Sequence, residues 1–165
     1  MTRLGLAVAA LVLIADQASK WWVLNGLDLP ARGNVSLLPF LDFTMVNNPG
    51  VTFGLLKQTG GYGPWLLAGV ALLVVVLLAV WMRRAETRIT TVALGAIAGG
   101  ALGNVLDRIR LGSVTDFIHL HAGGYSWFVF NVADAAIVCG VAILVLEGLL
   151  PGHGTSRLRP RADRR

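Results

Sequence analysis

Four long apolar runs constrain this chain more than anything else in it. They cover residues 4–24, 64–82, 89–109 and 132–150, and each reaches or approaches the roughly 20 apolar residues a helix needs to cross a bilayer core. Runs of that length are too long for the core of a soluble domain of 165 residues. The composition agrees, with 55% hydrophobic and 14% charged residues and a mean hydropathy of +0.68. The expected fold is therefore integral membrane α-helical, with four transmembrane helices. Residues 1–150 are expected to form a single membrane-embedded domain. Residues 151–165, polar and rich in Pro, Gly and Arg, read as a disordered tail.

A formal charge of +5 and a pI near 10.4 would suit a nucleic-acid binder, but the basic residues lie mostly outside the spans. Nine of the 14 are Arg3, then Arg83, Arg84 and Arg88, then Arg157, Arg159, Arg161, Arg164 and Arg165. If the spans alternate, these three groups share one side, as the positive-inside rule requires. Both termini are then cytoplasmic, and the expected partner is the phospholipid bilayer with its anionic headgroups, with no nucleic acid. The start resembles a signal peptide, yet Asp16 and Lys20 interrupt its apolar run and no small-residue cleavage site follows, so an uncleaved span is expected. Cys139 stands alone, which excludes an internal disulfide and a cysteine metal cluster.

The outer segment, residues 25–63, joins the first and second spans. Leu41, Phe43 and Met45 alternate with Asp42 and Thr44, the period-two signature of a half-buried strand. A small β-sheet on the outer surface of the membrane is expected there. Trp21, Trp22 and Trp65 mark the outer boundary as interfacial anchors. The second span has no polar side chain between Trp65 and Trp81 and reads as a lipid-facing scaffold. The third carries Gly95, Gly99, Gly100 and Gly103 at nearly helical spacing, which lets helix backbones approach closely.

Carboxylates near hydrocarbon are costly and need a reason. Asp116 lies in the outer loop, residues 110–131, and Asp134 opens the fourth span, 18 residues later. A loop turned by Gly123 and Gly124 can bring them together. Two carboxylates sharing one site hold one proton between them, so one activates water while the other protonates a scissile carbonyl, as in aspartic proteases. The same residues also suit a helix N-terminal charge and a turn aspartate. Asp16 and Lys20, four apart on one helix face, read as structural support. Asn104, Asp107 and Arg108 suit either a hydrogen-bond network or interfacial anchoring. His119 and His121 sit beside Asp116 without a credible third ligand, so no metal and no cofactor are expected.

Five motifs then occur in order: D-Q-A-S-K from Asp16, N-P-G-V-T-F-G from Asn48, G-G-A-L-G-N-V-L-D-R from Gly99, V-T-D-F-I from Val114 and F-N-V-A-D-A-A-I from Phe130. Together they resemble the bacterial lipoprotein signal peptidase (signal peptidase II) family over nearly the whole chain apart from its tail. Pro49 stands where other small or polar residues are usual. The resemblance implies an aspartic endopeptidase of the bacterial inner membrane, working at the periplasmic side. It implies diacylglyceryl-modified prolipoprotein substrates, cut just before the lipidated cysteine, and inhibition by globomycin. The family's catalytic aspartates fall on Asp116 and Asp134. Its site-supporting residues fall on Asn48, Gly100, Asn104, Arg108, Asn131 and Ala133, and its structural polar residues on Asp16, Lys20 and Asp107. The chain is expected to act as a monomer.

Two rival functions remain at this level. A small proton or cation carrier would place carboxylates near the midplane, where only Asp16 has any depth. A serine–lysine peptidase would pair Lys20 with Ser113 or Ser126.

Overall fold

The computed structural model describes residues 1–50 and 62–149. The four apolar runs are helices α1 (Thr2–Trp21), α3 (Gly63–Arg84), α4 (Arg88–Leu111) and α5 (Val132–Leu149), with a π-helical extension of α1 over Trp22–Gly26 and a short α2 at Leu29–Arg32. By length and composition all four long helices suit a membrane crossing. The expected tail, and Val51 to Gly54 of the N-P-G motif, lie outside the described residues.

Helix α4 is the centre of the bundle and packs against α1, α3 and α5. Its apolar stretch is 67% buried, against 17% in α1, 17% in α3 and 11% in α5. The outer helices turn Leu6, Leu11, Leu73, Val76, Val138 and Leu146 outward, as lipid-facing surfaces do. The glycines explain how α4 fits: a Cβ on Gly95 or Gly99 would strike the backbone of Gly5 or Ala9 in α1, and one on Gly100 would strike the Ala133 carbonyl in α5. Small residues thus let backbones meet where no hydrophobic force drives helices together.

The sheet has four antiparallel strands in the order β1 (Asn34–Leu38), β2 (Leu41–Asn48), β3 (Val114–Ala122), β4 (Tyr125–Ser126). Half of it therefore comes from the third–fourth connection, where the sequence suggested a loop. The first four residues of β3 are buried on both faces, so the strand shows no clean alternation to read. Gly123 and Gly124, both at positive φ, make the two-residue turn that strand twist favours in hairpins. Phe43 and Phe117 meet edge to face at 5.5 Å in a cluster with Val23 and Leu29 that ties the sheet to the C-terminal extension of α1. Trp22, expected only as a headgroup anchor, also packs edge-on against Phe43.

Candidate active site

Three elements converge at the C-terminal end of α4: the end of α1, the start of α5 and the β2–β3 pair. Strand register places Val46 opposite Asp116 and Asn48 opposite Val114, so the Asn48 side chain reaches Asp116. Its Nδ2 donates to Asp116 Oδ2 at 3.0 Å. Asn131 Nδ2 donates to the other oxygen at 2.6 Å. Asp116 is 2% exposed, and burial, with Asp134 adding like charge, outweighs those hydrogen bonds and pushes its carboxyl up to about 6.

Asp134 occupies the third position of α5. Its N–H donates to Asn131 Oδ1 at 2.9 Å, while Asn131 N–H donates to Asp134 Oδ2 at 3.3 Å. This reciprocal pair has the form of a capping box. The helix-cap explanation of Asp134 is therefore correct as far as it goes, but it uses only one carboxylate oxygen. The other accepts from Asn104 Nδ2 at 2.7 Å.

The amide directions follow from groups that can only donate. The Asp134 N–H fixes Asn131 Oδ1, so Asn131 Nδ2 must face Asp116 Oδ1 and Asn104 Oδ1, the latter at 3.1 Å. Lys20 Nζ also donates to Asn104 Oδ1, at 3.2 Å, which leaves Asn104 Nδ2 for Asp134. The two aspartates are thus joined through Asn131 and Asn104. Arg108 Nη1 donates to the Asn104 carbonyl at 3.3 Å, and its guanidinium lies within electrostatic reach of Asp134, Asp116 and Asp107. Its buried Nε has no hydrogen-bond partner among the described residues.

Every residue expected at the site meets this network. Lys20 bridges Asp16 and Asp107, each at 2.8 Å. Ala133 contributes its N–H to Asp16 Oδ1 at 3.0 Å, and Gly100 makes room for the Ala133 carbonyl. Sequence reasoning missed Gln17, whose Nε2 donates to Asp107 Oδ1 at 2.9 Å and Asp16 Oδ2 at 3.1 Å. Its spacing with Asp16 and Lys20 on one face of an apolar helix was the available signal.

Asp116 lines a cleft of about 340 Å³ with Val46, Asn47, Asn48, Pro49, Phe128 and Val129. Phe128 also borders a groove of about 770 Å³ along the hairpin, lined by Phe40, Leu120, Tyr125 and Trp127 among others. The histidines stand apart from the network. His119 Nε2 lies 2.6 Å from Ser126 Oγ, and His121 Nε2 lies 3.2 Å from Asp42 Oδ2. Among the described residues no three His, Cys, Asp or Glu side chains are grouped to share a metal ion.

The rival chemistries find little support in this geometry. Lys20 is committed to Asp16, Asp107 and Asn104, so it offers no base to a serine. Asp16, fully buried, accepts on both oxygens, which leaves it poorly placed to carry ions.

Fold and site together define a polytopic membrane protein with two aspartates bridged by asparagine side chains at one end of its bundle. Residues 8–150 match the signal peptidase (SPase) II family, and the chain belongs to that family. It is 55% identical over 149 residues to a lipoprotein signal peptidase of Methylorubrum extorquens, covering 90% of this chain and 87% of that one. A lipoprotein signal peptidase of Rhodopseudomonas palustris is 43% identical over 152 residues, covering 90% and 93%. A bacterial membrane enzyme solved by the in meso method at 2.3 Å resolution superposes with a TM-score of 0.76 at 25% identity, over 95% of this chain and 94% of that one.

Proposed function

We propose that the protein removes signal peptides from diacylglyceryl-modified prolipoproteins, cutting just before the lipidated cysteine, with Asp116 and Asp134 as its catalytic pair. The observation that carries this reading is the relay through Asn131 and Asn104, which joins carboxylates from a strand and a helix at the outer end of the bundle. A substrate held by acyl chains presents its scissile bond near the headgroups, where water also reaches. Asp116, with its raised affinity for a proton, acts as the acid toward the carbonyl oxygen. Asp134 takes a proton from the attacking water. Asn48, Phe128 and Val129, which line the cleft with Asp116, hold the peptide, and the Arg108 guanidinium contributes positive charge near both aspartates.

The enzyme works at the periplasmic face of the inner membrane, as a monomer with both termini cytoplasmic. It needs no metal or cofactor, and globomycin competes for the site. A cleavage assay on a lipidated prolipoprotein tests the reading. Asp116→Asn and Asp134→Asn should each abolish turnover, while Ser113→Ala and Ser126→Ala stay active. Near-normal turnover by either aspartate variant would sink it. Reporters after Arg88 and near Gly60 should read cytoplasmic and periplasmic respectively; the reverse would place the pair on the wrong side for a secreted substrate.

A further inference from the structure

Each aspartate of the pair follows a residue whose backbone N–H is held by a buried carboxylate. Ala133, just before Asp134, donates to Asp16 Oδ1 at 3.0 Å. Thr115, just before Asp116, donates to Asp107 Oδ2 at 3.1 Å. The two holding carboxylates are in turn tied to one ammonium, since Lys20 Nζ lies 2.8 Å from Asp16 Oδ2 and 2.8 Å from Asp107 Oδ2. All three charged side chains are buried, at 0%, 3% and 4% exposure for Asp16, Lys20 and Asp107.

An ion pair that merely stabilised α1 would need neither contact. The Ala133 N–H belongs to the first turn of α5, where donors lack intrahelical partners, and any cap or water could satisfy it. Here it is satisfied from α1, and the Thr115 N–H is satisfied from α4. A Cβ on Gly103 would run into Asp16 Oδ2, so a glycine leaves room for that arm. The remaining Lys20 contact is to Asn104 Oδ1 at 3.2 Å, which aims Asn104 Nδ2 at Asp134.

We infer that Lys20 is a positioning residue: through Asp16 and Asp107 it sets the separation of the two backbone positions that carry Asp134 and Asp116. The inference rests on the aspartic reading of the site. Lys20 does not line the cleft beside Asp116, and its effect is on geometry, where a displacement of about 1 Å is worth ~10²-fold in rate.

Lys20→Met alone strands two buried carboxylates and risks misfolding. The informative variant is Asp16→Asn/Lys20→Met/Asp107→Asn, which removes the charges together and keeps amide oxygens that can accept both N–H groups. We expect it to fold, with kcat reduced ~10²-fold and KM little changed. Lys20→Arg, which keeps a cation between the two carboxylates, should retain more kcat than Lys20→Met. The amide protons of Ala133 and Thr115, slow to exchange in the parent, should exchange faster in the triple variant. A folded triple variant with parental kcat, or one whose loss lies in KM, overturns the inference. Unchanged exchange at Ala133 and Thr115 overturns it too. If the parent cleaves no lipidated prolipoprotein, the peptidase reading fails, and the exchange rates still decide whether Lys20 sets the spacing.

Discussion

The two ends of the α4–α5 pair both carry hydrogen-bonded polar side chains, yet they differ in kind. At the end near the Arg83–Arg84 turn, Glu147 accepts from the Thr87 and Thr90 hydroxyls at 2.5 and 2.7 Å, and Thr87 also caps α4 by accepting from the Thr90 N–H. Those contacts join a helix start to a helix end and use both carboxylate oxygens. At the other end the polar groups come from α1, α4, α5 and two strands. One carboxylate lines a cleft, one arginine donor has no partner among the described residues, and Asp116 holds its proton up to about 6. A carboxylate in an apolar helix is thus weak grounds for function by itself. Carboxylates from separate elements, with spare donors and an opening, are much stronger grounds.

The sharpest way to break this contrast is to remove a carboxylate from each end. Asp116→Asn or Asp134→Asn should cost orders of magnitude, proton-transfer roles being worth ~10²–10⁴-fold each. Glu147→Gln should leave turnover near parental. Loss of turnover in Glu147→Gln at a temperature where it stays folded would make the two ends equivalent.

Glycines extend the comparison at a smaller scale. Gly100→Ala would drive a Cβ into the Ala133 carbonyl, with Ile137 Cγ1 at 2.9 Å. The first turn of α5 must shift, carrying Asp134 with it, and kcat should fall by roughly 10²-fold. Among the described residues nothing lies within 4 Å of a would-be Cβ on Gly148, so Gly148→Ala should leave kcat unchanged. Parental activity in Gly100→Ala would show that the pair tolerates displacement.

The proton on Asp116 gives a third test. Its raised value means the protonated form persists to about pH 6, and an essential acid is lost as pH climbs through that point. The ratio kcat/KM should therefore fall with a midpoint near 6, a value that belongs to the coupled pair. In kcat the fall should sit higher, because bound substrate excludes more water. Activity that instead rises through pH 6 would exchange the two aspartates' roles. The same shift makes a sign prediction for stability. The folded value lies above the unfolded one, so the contribution is full below about pH 4 and fades as pH rises through about 6.

Much of this was legible in the chain because bilayer physics is strict. Length and hydropathy located the helices, and the glycine spacing in α4 announced its close neighbours. Asp16 and Lys20, four apart on one face of an apolar helix, read as a buried pair, and their contacts run to Asp107, Asn104 and the Ala133 N–H. What the sequence hid was cross-element pairing. Strand β3 is buried on both faces at its start, so it carries no alternation. The bonds from Thr115 to Asp107 and from Ala133 to Asp16 use backbone N–H groups, which leave no trace in residue type. Glu147, Thr87 and Thr90 passed unremarked because threonines at a helix start look like ordinary caps. Family resemblance supplied the site residues as a set; only the geometry says which contacts which.

The smallest effect expected concerns Glu147. Gln at this position keeps one good acceptor for a threonine hydroxyl and turns the other oxygen into a donor facing a hydroxyl. One hydrogen bond to a charged group is lost, worth about 1.5–3 kcal/mol. Glu147 is half-buried, so solvent screening reduces the net cost to about 1 kcal/mol. Thermal unfolding in detergent should therefore show a drop of a few degrees, with kcat, KM and the pH profile unmoved. Thr90→Val should give a loss of similar size by the same route, and the double variant should lose less than the sum of the two, since both remove a shared contact. Additive losses would mean that Glu147 and Thr90 act separately, and the Thr87–Glu147 end would then lose its standing as a structural joint.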